Sequence, residues 1–255
     1  MPFPARLLPS LFLAAVCAMS LLLLAAAPAR AATLLSVDFG SGGAETGFVQ
    51  WSTGGDGTGI RSTTLGGYSL KLAGGVTVAD LATANSQFSV NERTRPAMTD
   101  SGAFTYRDLY YDRVVGTILS GSAPAGAGLL LQLGGFDPNT EYVLQLWGYE
   151  HNNRGVEKFV NFYDLTSGSE TLLGGFTTTV NQLPLDNDDF SITATVTSDA
   201  AGNIILKSRS NFDGVGIFNG VTVSSVPEPG IASLTLLGTC AIFLRRRRRH
   251  GPANV

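Results

Sequence analysis

In the run Glu141-Tyr142-Val143-Leu144-Gln145-Leu146-Trp147-Gly148-Tyr149, the residues Tyr142, Leu144 and Leu146 alternate with Val143, Gln145 and Trp147. A period of two sends successive side chains to opposite faces of a sheet. Both sets are large and mostly apolar, as in a strand covered on both sides. The run therefore predicts a central strand in a layered β structure.

The flanking chain continues the pattern. His151-Asn152-Asn153-Arg154-Gly155 reads as a turn, and Glu157–Asp164 as the returning arm of a hairpin. Thr171–Thr178 is a further strand. Ile192, Ala194 and Val196 alternate with Thr193, Thr195 and Thr197, which predicts a half-exposed strand. Asn203–Arg209 is expected to pair with it across the turn Asp199-Ala200-Ala201-Gly202, and Gly214–Val223 to be one last strand. Towards the N-terminus, Leu34–Phe39, Tyr68–Val78, Leu109–Val115 and Gly128–Leu133 have strand character, and Gly54–Gly59 that of a turn-rich loop. Asp80–Met98 reads as a long loop or short helix. Short alternating runs punctuated by Gly, Asn, Asp and Ser, with no amphipathic helix and no repeat, predict an all-β fold: one sandwich or barrel domain over residues 32–225.

The two ends have a different character. Arg6, the apolar run Leu7–Leu24 and the small residues around Ala29-Arg30-Ala31 make residues 1–31 an expected secretory signal peptide. This implies a secretion translocon and a signal peptidase as partners. At the other end, Val226-Pro227-Glu228-Pro229 precedes an apolar segment and then Arg245, Arg246, Arg247, Arg248 and Arg249. Residues 230–244 form a short expected transmembrane helix of roughly 22 Å. Five arginines, costly to move through a bilayer, hold its end on the cytoplasmic side, with 250–255 as a cytoplasmic tail. The ordered trio over 226–249 resembles the PEP-CTERM sorting signal of Gram-negative bacteria. That resemblance implies an exosortase, a membrane-embedded thiol protease, as the partner that cuts near Pro-Glu-Pro. It implies export across the cytoplasmic membrane to the cell envelope, the cell surface or the extracellular matrix.

Between these ends, residues 32–226 carry 10 basic and 19 acidic residues, a net charge of −9. Such a surface repels nucleic acid and anionic polymers. Cys17 and Cys240 both lie in the end segments, so the domain has no disulfide and no thiol chemistry. Its single histidine, His151, sits in a polar turn away from any nucleophile motif, which argues against a triad and a His-rich zinc site. Glu141, Glu150 and Glu157 are the carboxylates a glycoside hydrolase would use, and a secreted carbohydrate-active enzyme is the alternative reading.

Asp186-Asn187-Asp188-Asp189 is the densest set of oxygen ligands, which makes Asp186, Asp188 and Asp189 candidate calcium ligands against the plainer reading of a solvated acidic loop. Trp51, Tyr106, Tyr110, Tyr111, Trp147 and Tyr149 are the rings that could stack on sugars. Two places combine rings with polar neighbours: Tyr106-Arg107-Asp108, and Tyr149 with His151 and Asn152. Val37-Asp38-Phe39-Gly40, Gly47-Phe48-Val49-Gln50-Trp51 and Gly216-Ile217-Phe218-Asn219-Gly220-Val221 together resemble a malectin-like or galactose-binding-like jelly roll. That resemblance implies a non-catalytic domain for polysaccharide binding or adhesion.

Overall fold

The computed structural model of the protein describes residues 31–54, 56–94, 98–150, 157–211 and 215–226. The sorting residues Pro227–Pro229 and Arg245–Arg249, the leader up to Arg30, and His151 and Asn152 lie outside the described residues. Among the described residues, fifteen strands run between Thr33 and Ser225, a stretch that forms one compact unit. They are β1 (Thr33–Phe39), β2 (Val49–Trp51), β3 (Gly57–Thr58), β4 (Arg61–Leu65), β5 (Tyr68–Gly75), β6 (Phe88–Thr94), β7 (Asp112–Ile118) and β8 (Gly128–Gly134). There follow β9 (Glu141–Trp147), β10 (Lys158–Asp164), β11 (Thr171–Thr178), β12 (Ser191–Thr197), β13 (Asn203–Ser210), β14 (Gly216–Phe218) and β15 (Gly220–Ser225). A 3-10 turn at Val78–Leu81 and a five-residue helix α1 (Arg107–Tyr111) are the helical pieces among the described residues.

The strands form three sheets, in the orders β12-β9-β15-β1-β2, β11-β10-β13-β8-β5-β4 and β14-β7-β6-β3. The first two contribute their inner faces to one core: Val37, Leu144, Leu146, Val221 and Val223 from one, Leu72, Leu131, Leu133, Phe162 and Leu206 from the other. Each such side chain contributes about 1.5–3 kcal/mol through burial, so this layer sustains the fold without a disulfide. The result is the jelly-roll β-sandwich expected from the sequence. Strand β8 shows why both faces are apolar: Leu129, Leu131 and Leu133 enter the main core, while Leu130 joins Leu81, Leu165 and Ile205 on the other side. Beside this second cluster, the buried Lys207 Nζ donates to Val76 O at 2.6 Å, Gly126 O at 3.2 Å and Glu170 Oε2 at 2.8 Å.

β9 is central, between β12 and β15, and its Tyr142, Leu144 and Leu146 face the main core. That occupancy overturns the expected hairpin with Glu157–Asp164. Both edges of β9 are taken, so β10 crosses to the opposite sheet and pairs with β11 and β13. Likewise Asn203–Arg209 does not pair with the half-exposed strand before it. The Asp199–Gly202 turn carries the chain between sheets, and β13 lies between β8 and β10. The expected single strand Gly214–Val223 is two strands in different sheets, because Asn219 marks a switch from the β7 edge to the slot between β1 and β9. Within Asp80–Met98 the structure holds a strand, β6, whose polar Asn91-Glu92-Arg93 interrupts the apolar alternation. The expected strand Leu109–Val115 is a turn of helix followed by a strand. Leu109 and Tyr110 on α1 are buried in an aromatic cluster, and extended backbone begins at Asp112.

Candidate functional site

An aromatic layer lies beside the main core. Phe104, Leu109, Tyr110, Trp147, Tyr149 and Phe190 are buried together, with Phe48 and Tyr106 packed against them. Phe48 presents an edge to both Tyr106 (5.6 Å, 83°) and Trp147 (5.7 Å, 74°), the T-shaped arrangement that ring quadrupoles favour. The polar tips of Trp147, Tyr110 and Tyr149 are satisfied by one loop. Trp147 Nε1 donates to Asn187 O at 2.9 Å, the Tyr110 hydroxyl donates to Asn187 O at 3.4 Å and to Asp189 O, and the Tyr149 hydroxyl donates to Gln182 O at 2.9 Å. Burial is the main cause that pushes Tyr149 up to about 12 and Tyr110 further still. Tyr149 is therefore scaffold rather than a sugar-facing ring, because its face is covered by Tyr110 and Phe190. Trp51 and Trp147 are buried too, which leaves Tyr106 and Tyr111 as the half-exposed members of the ring set.

The acidic loop explains itself through its hydrogen bonds. Asp186 Oδ1 accepts from Asp188 N and Asp189 N, both at 2.9 Å, and Asp189 Oδ2 accepts from Leu185 N. Asp188 Oδ1 accepts from Gln145 Nε2 at 2.8 Å. These carboxylates hold their own loop in shape. Among the described residues no three His, Cys, Asp or Glu side chains converge as a metal would require. Asn187 does the longest-range work: its Oδ1 accepts from Thr105 N at 2.7 Å and Tyr106 N at 3.1 Å, and its Nδ2 donates to Thr105 Oγ1 at 2.9 Å. The loop thereby pins the segment that leads into α1.

That pinned segment walls an open cleft of about 390 Å³. Thr105, Tyr106, Arg107 and Asp108 line one side, and Glu45, Thr46 and Asp100 complete it. Tyr106, Arg107 and Asp108, consecutive in the chain, all line this cleft. Glu45 is the residue that sequence reading missed, since nothing in its Gly-rich surroundings marks it. It is buried, and its carboxylate accepts from Thr46 N at 2.8 Å and from Asp108 N at 3.3 Å. Arg107 lies 3.5 Å from Asp108 and 4.0 Å from Asp100, all three well exposed, so these pairs contribute little stability and remain free to trade partners. Partial burial foremost, then the charges of Glu45 and Asp188, raises the Tyr106 phenol above its usual range and keeps it a neutral donor. The cleft offers a half-exposed ring flanked by hydroxyl, guanidinium and carboxylate groups, the combination that stacks on a pyranose and bonds its hydroxyls.

The glycosidase alternative fares differently. Glu141 begins β9 and Glu150 lies beyond its end, more than about 20 Å apart at the rise of a strand, whereas paired catalytic carboxylates stand roughly 5–10 Å apart. Glu150 is moreover buried and bonded to Arg113 at 2.8 Å. A second cleft, of about 520 Å³ and near Glu141, Asp164, Ser167 and Thr195, has no aromatic ring in its walls.

No family model matches the chain, and no curated protein does. Solved structures are similar in outline. One is a Bacillus subtilis protein (TM-score 0.37, 11% identity, 77% of this chain and 41% of that one). Another is the xylanase 10B of Clostridium thermocellum with its CBM22-1 and GH10 modules (TM-score 0.33, 17% identity, 55% of this chain and 25% of that one). A third is the CBM22-1 xylan-binding domain from Paenibacillus barcinonensis Xyn10C (TM-score 0.39, 10% identity, 79% of this chain and 99% of that one). The chain thus spans less than half the length of the first two.

Proposed function

We propose that this protein is an exported, non-catalytic surface or matrix protein whose β-sandwich binds polysaccharide through the Tyr106 cleft. The observation that carries the reading is the cleft itself, where a half-exposed ring sits among polar groups on a rigid aromatic floor. Export rests on the sequence at the two ends. In this reading the signal peptide takes the chain to the translocon and signal peptidase. An exosortase then acts at Val226-Pro227-Glu228-Pro229, while Arg245–Arg249 hold the helix in place.

Affinity electrophoresis against a polysaccharide panel that includes the host's own exopolymer tests the binding. The wild-type protein is retarded by at least one polymer, and Tyr106→Ala abolishes the retardation while leaving the unfolding midpoint nearly unchanged. No retardation by any polymer, or unchanged retardation of the variant, refutes the cleft. Intact mass of the protein from its native host tests the processing. A species beginning near Ala32 and ending near Pro227 supports it, and one that retains Ile231–Arg249 refutes it.

A further inference from the structure

The Tyr106 cleft is charged unevenly. Glu45, Asp100 and Asp108 line it against a single cation, Arg107. Arg107 Nε lies 3.5 Å from Asp108 Oδ1 and 4.0 Å from Asp100 Oδ2, so one guanidinium is divided between two exposed carboxylates. Glu45 is a different case, because it is only 6% exposed. Its Oε1 accepts from Thr46 N at 2.8 Å and its Oε2 from Asp108 N at 3.3 Å, both backbone amides. Among the described residues no Lys or Arg pairs with it. A buried carboxylate with hydrogen bonds but no counter-charge leaves a negative charge in the cleft wall.

Ring and charge act together there. Phe48 (5.6 Å) and Trp147 (6.1 Å) hold the Tyr106 ring from within, and its half-exposed part borders the same cleft. The face of an aromatic ring attracts a cation through its quadrupole. Burial foremost, then Glu45 and Asp188, raises the Tyr106 phenol, so the ring stays neutral amid negative neighbours. The excess of 19 acidic over 10 basic residues across 32–226 adds to the same field. A uronic-acid glycan would meet one cation that two carboxylates already hold. A protonated amine would meet a ring face, an uncompensated Glu45 and two carboxylates whose exposed pairs with Arg107 are easily exchanged.

We propose that the Tyr106 cleft selects glycans that carry protonated amines, polymers of deacetylated amino sugars, over neutral and uronic-acid glycans. This rests on the reading of the cleft as a polysaccharide site and names the class of polymer it takes. Tyr106 stacks on the sugar and faces its charge, Glu45 and Asp100 supply the compensating negative charge, and Arg107 turns away carboxylated competitors no better than water does.

The test is calorimetry of the full chain with a glucosamine hexamer, its N-acetylated counterpart and a galacturonic-acid hexamer. It is run at about pH 5.5, where the amines are protonated and exposed carboxylates remain ionised. The glucosamine hexamer binds at least about tenfold tighter than the acetylated one, and the uronic-acid hexamer binds weakest. Glu45→Gln, which keeps the acceptor for Thr46 N and Asp108 N, cuts that preference about five- to tenfold, as does Asp100→Asn. Arg107→Ala increases it. Where Glu45→Gln fails to fold, the exposed Asp100 decides. Asp137→Asn makes the same change of charge beside Tyr142, at the far end of β9 from Trp147, and leaves the preference intact. Equal or tighter binding of the acetylated hexamer, lost in Tyr106→Ala, overturns the selectivity while the cleft stands. A preference that Asp137→Asn lowers as much as Asp100→Asn also overturns it, because the overall charge is then responsible. Binding of the glucosamine hexamer that survives Tyr106→Ala overturns both selectivity and cleft. No binding of any hexamer overturns the selectivity, and Tyr106-dependent retardation by another polymer would then leave the cleft standing.

Discussion

Replacing Asn187 by alanine removes three hydrogen bonds at once: those from Thr105 N (2.7 Å) and Tyr106 N (3.1 Å) and that to Thr105 Oγ1 (2.9 Å). Each intramolecular hydrogen bond contributes about 0.5–1.5 kcal/mol net. Thr105 is exposed, so water recovers part of the loss there, while Tyr106 is half-buried and its N–H is less easily rehydrated. The expected cost is about 2–3 kcal/mol, a sizeable share of the roughly 5–15 kcal/mol that holds a domain together. The backbone carbonyl of Asn187 still accepts from Trp147 and Tyr110, so the aromatic floor survives while the cleft wall loosens. Urea unfolding followed by tryptophan fluorescence measures the cost, and polysaccharide affinity measured alongside drops in the variant. Asn187→Asp keeps the acceptor and loses the donor, so it costs less, about 1 kcal/mol. A double-mutant cycle with Thr105→Ala isolates the side-chain pair. A loss below about 0.5 kcal/mol in Asn187→Ala, or an unchanged affinity, would show that the acidic loop does not shape the cleft.

Other predictions are independent of that clamp. In a spectrophotometric titration, Tyr149 and Tyr110 ionise only near or above pH 12 while exposed phenols titrate near pH 10, and a single transition near 10 contradicts their burial. Because the folded state favours the neutral Tyr149 phenol, its contribution to stability is intact below about pH 10 and is lost as pH rises through about 12. Lys207→Met leaves Val76 O and Gly126 O without this donor and removes one of the two cations on Glu170, which keeps Arg209, and is expected to cost about 2–4 kcal/mol in urea unfolding. A neutral outcome refutes the role given to the buried ammonium. Gly216→Ala would place a Cβ 2.0 Å from the backbone oxygen Ser208 O, which no side-chain rotation can relieve. Its unfolding midpoint should collapse, and normal stability would mean that β14 and β13 lie further apart.

Part of the sandwich was legible because its strands obey the period of two: β9 and β12 follow from alternation, and β8 from its short apolar run. Pairing was not legible. Neighbours in sequence suggest hairpins, but β9 has both edges filled by strands far along the chain, and only the three-dimensional competition for those edges sends β10 elsewhere. The switch at Asn219 is hidden for a similar reason. Val215, Ile217, Val221 and Val223 keep one phase across it, with Asn219 as the single polar residue at that phase, although Val215 serves one cluster and Val221 another. At the candidate site, Tyr106, Arg107 and Asp108 were identified by composition, because a ring among polar residues is a local signal. Glu45 arrives from about sixty residues away and Tyr149 turns inward, both through tertiary packing that a local pattern does not encode.

The slot that β15 occupies has a consequence for the order in which the chain can become native. β1 begins at Thr33, yet its antiparallel partner is Gly220–Ser225, the last strand, which also fills the gap beside β9. A chain that emerges N-terminus first therefore keeps its central sheet open until nearly the whole domain has appeared. Contacts so distant in sequence make closure slow and late. Only two residues separate the end of β15 from Glu228. Completion of the sheet and presentation of the Pro-Glu-Pro segment are thus adjacent in time as well as in sequence. On the proposed processing, an enzyme that cuts there would meet a domain that has either just closed or is about to.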